Sequence, residues 1–343
     1  MNGTQIGVDL AKAVCEIAVS HTPGRVQERR RLSRATVMNF FAEHAPAQVV
    51  MEACSSAHHW GREFQRLGHS VLLLHPSDAA RYRDGNKTDR ADAKALLEAV
   101  RNEALDPVPV KSLEQQAVGA LHRLRQGYLQ TRTARINAVR GHLREFGCVI
   151  PIGARHVLPQ AYAALESGAI PQLLRPALTT VLDEIAALEA KADAVRHELT
   201  QLAEQMPEAQ LLLTVPGVGV LTATALVALV GNIQRFPSGR DFAAYLGLTP
   251  REHSTGQARR LGAITKRGNS YIRMLLVHGA RSALRAGTVV QQPDDLRTWA
   301  RTIALRKGHN VAAVALANKL ARVCWRVWRD GRPFERREAA ERR

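Results

Sequence analysis

Cysteine is scarce in this chain and scattered where it occurs. The four thiols, Cys15, Cys54, Cys148 and Cys324, form no C-x-x-C pair and have no histidine at zinc-finger spacing. A disulfide framework and a structural zinc are therefore not expected, and the thiols read as reduced, in a cytosolic protein. Long hydrophobic runs are missing too. No run of about eighteen apolar positions that could span a membrane is present, and Asp9 interrupts the first apolar run, so no secretory signal is expected. Acidic residues are in short supply: 31 Asp and Glu stand against 48 Lys and Arg, a formal net charge of +17. Such a surplus favours a polyanion such as DNA or RNA. The cations are spread over VQERRRLSR, RLRQGYLQTRTARINAVRGHLR, QARRLGAITKRGN and RVWRDGRPFERR. That spread predicts a long nucleic-acid path over several elements rather than one membrane-binding amphipathic helix.

What is present divides the chain into four parts. Residues 1–110 alternate short β-rich runs with helical segments. TQIGVDLAKAVCEIAVS reads as two strands broken at Asp9–Lys12, QVVMEA and SVLLLH read as buried strands, and HHWGREFQRLG reads as a helix. This predicts an α/β layer with a mixed sheet. Residues 111–205 read as a helical, coiled-coil-like arm: a very basic helix over about 112–146, a Gly- and Pro-bearing loop, and a helix over about 171–205 with heptad-like apolar spacing. The arm serves as a spacer, a dimerisation element or a nucleic-acid contact through Arg123, Arg125, Arg132, Arg135, Arg140 and Arg144. Residues 206–330 read as mostly α, opening on VPGVGV, where Pro216, Gly217 and Gly219 form a tight turn between helices. That turn resembles a helix-hairpin-helix, which offers backbone N–H groups to phosphate, although an ordinary αα-corner fits the same residues. Residues 331–343 form a charged tail.

Four acids raise a chemical question. Asp9 ends a first strand, Glu52 ends VVME, and Asp89 and Asp92 lie three residues apart, on one face of a helix. One reading neutralises the helix pair with Lys87, Arg90 and Lys94, with Thr88 as N-cap. The other brings the strand ends beside that helix. Four converging carboxylates then require divalent metal, and two Mg²⁺ ions would polarise a phosphodiester.

The order Asp in GVDLAK, Glu in VVMEA and Asp-x-x-Asp in KTDRADA resembles the DEDD tetrad of the RuvC-like, RNase H-fold domain of DEDD transposases, insertion-sequence family 110, subgroup 1111. GLTPREHSTGQARRLGAITKRGN resembles that family's second block, and the likeness covers nearly the whole chain. It implies a DNA recombinase that cuts and rejoins DNA for an insertion sequence, with Asp9, Glu52, Asp89 and Asp92 holding Mg²⁺ and Ser254 as covalent nucleophile. Arg259, Arg260, Lys266 and Arg267 would stabilise charge at phosphorus and contact the nucleic acid. This sequence has Thr255 and Gln257 where the commoner form has a second serine and a second glycine, so Thr255 stays open as the nucleophile. His253 beside the serine is a candidate base. The resemblance further implies a structured non-coding bridge RNA as guide, a homo-oligomer (dimer or tetramer) with a composite site, and a nucleoid-associated protein of the bacterial cytosol. Two rivals use the same residues differently. A junction resolvase would need only the acids and water, and a non-catalytic nucleic-acid scaffold would use the acids as ion pairs.

Overall fold

The computed structural model describes residues 3–22, 24–84, 86, 88–256, 258–286 and 295–335. Lys87, Gln257 and the end of the charged tail (336–343) lie outside the described residues. The chain divides into two compact units, Met1–Gln115 and Gln116–Arg343. Among the described residues, no helix is long and apolar enough to cross a membrane.

The first unit is a three-layer α/β structure. Its strands are β1 (Gln5–Leu10), β2 (Val14–Ser20), β3 (Glu28–Ser33), β4 (Gln48–Glu52) and β5 (Ser70–Leu74). They form one sheet in the order β3-β2-β1-β4-β5. β2 runs antiparallel to β1 and β3, while β1, β4 and β5 are parallel. The strands read from TQIGVDLAKAVCEIAVS, QVVMEA and SVLLLH are all present. The edge strand β3, ERRRLS, is an addition. It is largely exposed and charged, so it carries no apolar alternation, and its arginines guard an open sheet edge. Side-chain alternation splits the sheet into two faces. Ile6, Val8, Ile17, Val49 and Met51 pack on one side with Phe41 of α1 (Val37–Glu43) and with Trp60 and Phe64 of α2 (Ala57–Arg66). On the other side Ala18, Val50 and Leu74 meet α4 (Asp89–Ala99) through Ala93, Leu96, Leu97 and Ala99. A short α3 (Pro76–Ala79) precedes α4.

Gly7 sets the distance between β1 and α4. A Cβ at this position would lie 2.4 Å from the carbonyl oxygen of Ala93, so only glycine lets the helix backbone come this close. Thr88 caps α4, its side chain accepting from the Ala91 N–H, as expected.

The second unit takes in all but the first residues of α5 (Leu113–Glu145), a helix roughly 50 Å long at about 1.5 Å per residue. Then come α6 (Val157–Glu166), which starts in the last residues of the segment read as a loop and runs on past it, and α7 (Arg175–Glu204). The helices α5 and α7 are antiparallel. Ile136, Val139 and Leu143 pack with Leu178, Leu182 and Ile185 at one end, and Val118 packs with Val195 and Leu199 at the other. The buried positions of α7 follow the heptad-like spacing seen in its sequence.

The remaining helices are α8 (Pro207–Leu213), α9 (Val220–Val230), α10 (Gly239–Tyr245), α11 (Ser270–Ala286), α12 (Asp295–Lys307) and α13 (His309–Asp330). They bury one large apolar core. A two-stranded ribbon, β6 (Pro250–Glu252) and β7 (Leu261–Ile264), stands out from it. His122 of α5 pins this body together. Its Nε2 lies 3.0 Å from Thr224 Oγ1 and its Nδ1 2.9 Å from Tyr271 Oη. The Thr224 hydroxyl already donates to the Val220 carbonyl, so it accepts from Nε2–H, and Nδ1 is left to accept from the tyrosine.

Candidate active site

The sheet faces decide where the acids point. Gly7 and Asp9 share a face of β1, Val50 and Glu52 share a face of β4, and Gly7 and Val50 both look toward α4. The parallel register pairs Val8 with Met51, so Asp9 and Glu52 follow side by side at the carboxyl ends of adjacent strands. Asp9, Glu52 and Asp92 line one small cleft together with Ala79, Arg83 and Leu96. Burial, then the charges of Asp89, Asp92, Glu52 and Glu16, push the Asp9 carboxyl up to about 6 from 3.8. All four sequence-predicted acids thus act on one point.

Two participants escaped the sequence reading. Glu16 stands directly opposite Asp9 in the β1–β2 register and is paired with Arg31 at 3.4 Å. Arg83 forms an ion pair and hydrogen bond with Asp92. The neutraliser of the helix pair is therefore an arginine from the segment before α4. Arg90 instead gives its carbonyl to Arg29 Nη1 at 3.1 Å. The register of a hairpin could have signalled Glu16; nothing in the local sequence marks Arg83.

Among the described residues, no group of three or more His, Cys, Asp or Glu side chains is arranged as a ready metal cage. The donor chemistry nonetheless fits a hard divalent cation: an all-carboxylate set, two acids at strand ends and two on α4, with the Asp9 carboxyl raised by burial and then by its neighbours' charges.

The serine block folds as the exposed β6–β7 ribbon. Glu252 pairs with Leu261, and Thr255 with Ala258 at the tip. Ser254 Oγ donates to Glu252 Oε1 at 2.8 Å and accepts from the Arg260 N–H at 3.2 Å. Arg259 Nε reaches the same Glu252 oxygen at 3.1 Å. The hydroxyl, a carboxylate and a guanidinium are therefore linked, and these two bonds hold the Glu252 carboxyl below its usual range. The Ser254 hydroxyl thus donates to Glu252, not to the neighbouring His253. Lys266 sits in the left-handed region at φ 56°. The turn it begins is pressed against the end of α10: a Cβ on Gly268 would lie 1.9 Å from Tyr245 O, and one on Gly247 would lie 2.1 Å from Arg267 O. Gly247 and Gly268, at the two ends of this block, are thus required by backbone-to-backbone packing.

The other residues expected to meet nucleic acid divide by their partners. Arg132 pairs with Glu189 at 3.1 Å and Arg135 with Glu184 at 2.7 Å across the arm, while Arg140 donates to the Pro151 and Gly153 carbonyls. Arg125 lies against the Tyr271 hydroxyl. Arg123 and Arg144 are exposed. Gly217 has φ 83°, and a Cβ there would lie 2.6 Å from Gly279 O, whereas Gly219 is exposed at the start of α9.

An α/β unit with strand-end acids, joined to a helical unit with an exposed serine ribbon, is the layout of a DNA-processing enzyme. A family model described as transposase, of the DEDD type, matches residues 6–147, and the model of the transposase IS116/IS110/IS902 family matches residues 209–293. The chain is 38% identical over 323 residues to the transposase for insertion sequence element IS1111A of Coxiella burnetii, covering 93% of this chain and 88% of that one. It is 35% identical over 335 residues to the transposase for insertion sequence element IS1328 of Yersinia enterocolitica, covering 98% and 99%. A pilin gene-inverting protein of Moraxella lacunata is 30% identical over 150 residues, 41% of this chain and 44% of that one. The chain belongs to the IS110-type family of transposases, enzymes that cut and rejoin DNA.

Proposed function

We propose that this transposase moves its insertion sequence by a two-part chemistry: an RNase H-like unit whose carboxylates hold Mg²⁺, and a serine that joins covalently to DNA. The strand order, with β2 alone reversed, supports the RNase H-like assignment. The observation that carries the reading is the convergence of Asp9, Glu52, Asp89 and Asp92, felt as the raised Asp9 carboxyl. Bound there, Mg²⁺ would neutralise phosphate oxygens and so favour attack at phosphorus. The chain's own residues do the rest. Ser254 Oγ forms a bond to phosphorus as the bond from phosphorus to a deoxyribose oxygen breaks, and Glu252 stands in place to take the hydroxyl proton. Arg259 and the Arg260 N–H lie beside the hydroxyl, where negative charge develops. Gly219, at the start of α9, is exposed toward any phosphate approaching the helix-hairpin-helix-like turn. The exposed Arg123 and Arg144 suit a structured guide RNA encoded by the element, bound through its backbone by a homo-oligomer of this chain.

Denaturing gels of the full chain with element-end DNA, its copurified RNA and Mg²⁺ test this. A covalent protein–DNA adduct is expected for the wild type and for Thr255→Ala, and none for Ser254→Ala. An adduct lost only in Thr255→Ala moves the role to the threonine. Cleavage with no adduct in any variant identifies a water-using nuclease.

A further inference from the structure

We propose a second DNA-contacting site, a groove at the root of the serine ribbon that takes an unstacked nucleotide of single-stranded DNA. The groove, about 900 Å³, runs between the ribbon and helices α12 and α13, and its walls include Pro250, Ile264, Trp299, Val314, Lys319 and Arg322. Trp299 is 38% exposed, a large aromatic at the surface of a chain with few aromatics. Lys319 Nζ stands over its ring at 4.3 Å from the centroid. Lys319 and Arg322 also border the next hollow along α13, which Arg240, Trp325 and Arg326 line. One surface thus combines aromatic faces with a row of cations, the combination that holds single strands: bases stack on the rings and phosphates follow the charges.

The charge row argues against an apolar protein helix as occupant, since such a helix brings no negative charge to complement it. A duplex is disfavoured for the opposite reason: its bases are stacked inside, so the apolar walls and the Trp299 face would gain nothing. An unstacked nucleotide uses both. The groove wall is mostly aliphatic, which suits a deoxyribose better than a ribose whose 2′-hydroxyl would lose its water there. Its position gives it a purpose. Pro250 lies four residues before Ser254, roughly 13 Å at about 3.3 Å per strand residue, or roughly four stacked nucleotides at about 3.4 Å each. The groove would therefore grip the strand a few nucleotides from the bond that Ser254 attacks. That purpose rests on the serine reading; the binding site itself does not.

Fluorescence anisotropy with a labelled single-stranded oligodeoxynucleotide, its duplex and an RNA of the same sequence, all at one salt concentration, tests the site in the full chain. Trp299→Ala should weaken single-strand binding about tenfold, which is about 1.4 kcal/mol. Trp299→Phe should restore most of it, Lys319→Gln should weaken it without touching the ring, and duplex binding should be unchanged in all three. A strand carrying 5-iodouracil should photocross-link to Trp299. Equal losses for duplex and single strand, tighter binding of the RNA through Trp299, or cross-links that map elsewhere would each overturn the proposal. Ser254→Ala should bind the single strand normally, so a chain that binds through Trp299 yet forms no adduct sinks the serine reading alone.

Discussion

Replacing Asp9 by asparagine should make the metal-free protein more stable and abolish its stabilisation by Mg²⁺. The first half follows from a sign. Asp9's carboxyl is raised from 3.8 to about 6 by burial and by four neighbouring carboxylates, so the folded state holds a proton that the unfolded state has already lost. Folding stability therefore falls as pH rises from about 4 to about 6 and stays reduced above that. The full shift corresponds to about 3 kcal/mol at about 1.36 kcal/mol per unit. Because Asp9 is only half-buried, solvent screening reduces this to roughly 1–2 kcal/mol. An amide keeps the shape without the charge, so Asp9→Asn recovers that amount near neutral pH, on the order of 5 °C in Tm. The second half follows from mass action: at a hundred times its Kd, Mg²⁺ stabilises a protein that binds it by about 2.7 kcal/mol. Calorimetry with EDTA or Mg²⁺, and hydrogen exchange of the β1 and α4 amides, read both effects. A less stable metal-free Asp9→Asn, or an equal Mg²⁺ shift in wild type and variant, would refute the reasoning.

Two further expectations rest on single contacts. Gly7→Ala forces a Cβ against the Ala93 carbonyl and should cost about 1–3 kcal/mol, with Mg²⁺ stabilisation lost because Asp89 and Asp92 move with α4; unchanged metal binding would show that the helix position does not matter. His122, whose ring is held down to about 4 by burial and then by Arg125, stays neutral in the folded protein while the unfolded chain takes up a proton below 6.5. Stability of the second unit should therefore fall by about 3 kcal/mol as pH drops from 6.5 to 4, and His122→Gln should flatten that slope in pH-dependent denaturation.

Much of this arrangement was legible in the sequence, for physical reasons. The strands β1, β2, β4 and β5 are apolar enough to announce a buried sheet, and the heptad-like spacing of α7 announced the arm. Asp9 and Glu52 were legible as unusual acids because each interrupts or ends an apolar run, where an uncompensated charge is costly, whereas Asp89 and Asp92 joined them only through the family resemblance. Elements whose determinants are nonlocal were not legible. The edge strand β3 is held by its partner's backbone and has a solvent face, so its arginines read only as charge. The helix α6 starts in a segment whose Gly and Pro dominated the reading and continues beyond it. Arg83 reaches Asp92 from outside the helix, while the nearby cations in the sequence suggested other partners.

The glycines show the same division from the other side. Gly217 was read as a phosphate-facing turn residue, yet the adjacent backbone of Gly279 already requires its lack of a side chain. Gly247 and Gly268, at the two ends of the serine block, are likewise demanded by backbone contacts between α10 and the Lys266 turn. A glycine in a functional motif therefore carries two meanings that sequence alone cannot separate: approach of a ligand, or approach of another part of the chain. Here the second meaning holds the first in place. The close packing at Gly7 brings α4 over the strand ends, and the packing at Gly247 and Gly268 fixes the root of the ribbon that presents Ser254. The candidate acids, two of them half-buried at the strand ends, and the exposed Ser254 are alike positioned by backbones touching where no side chain fits.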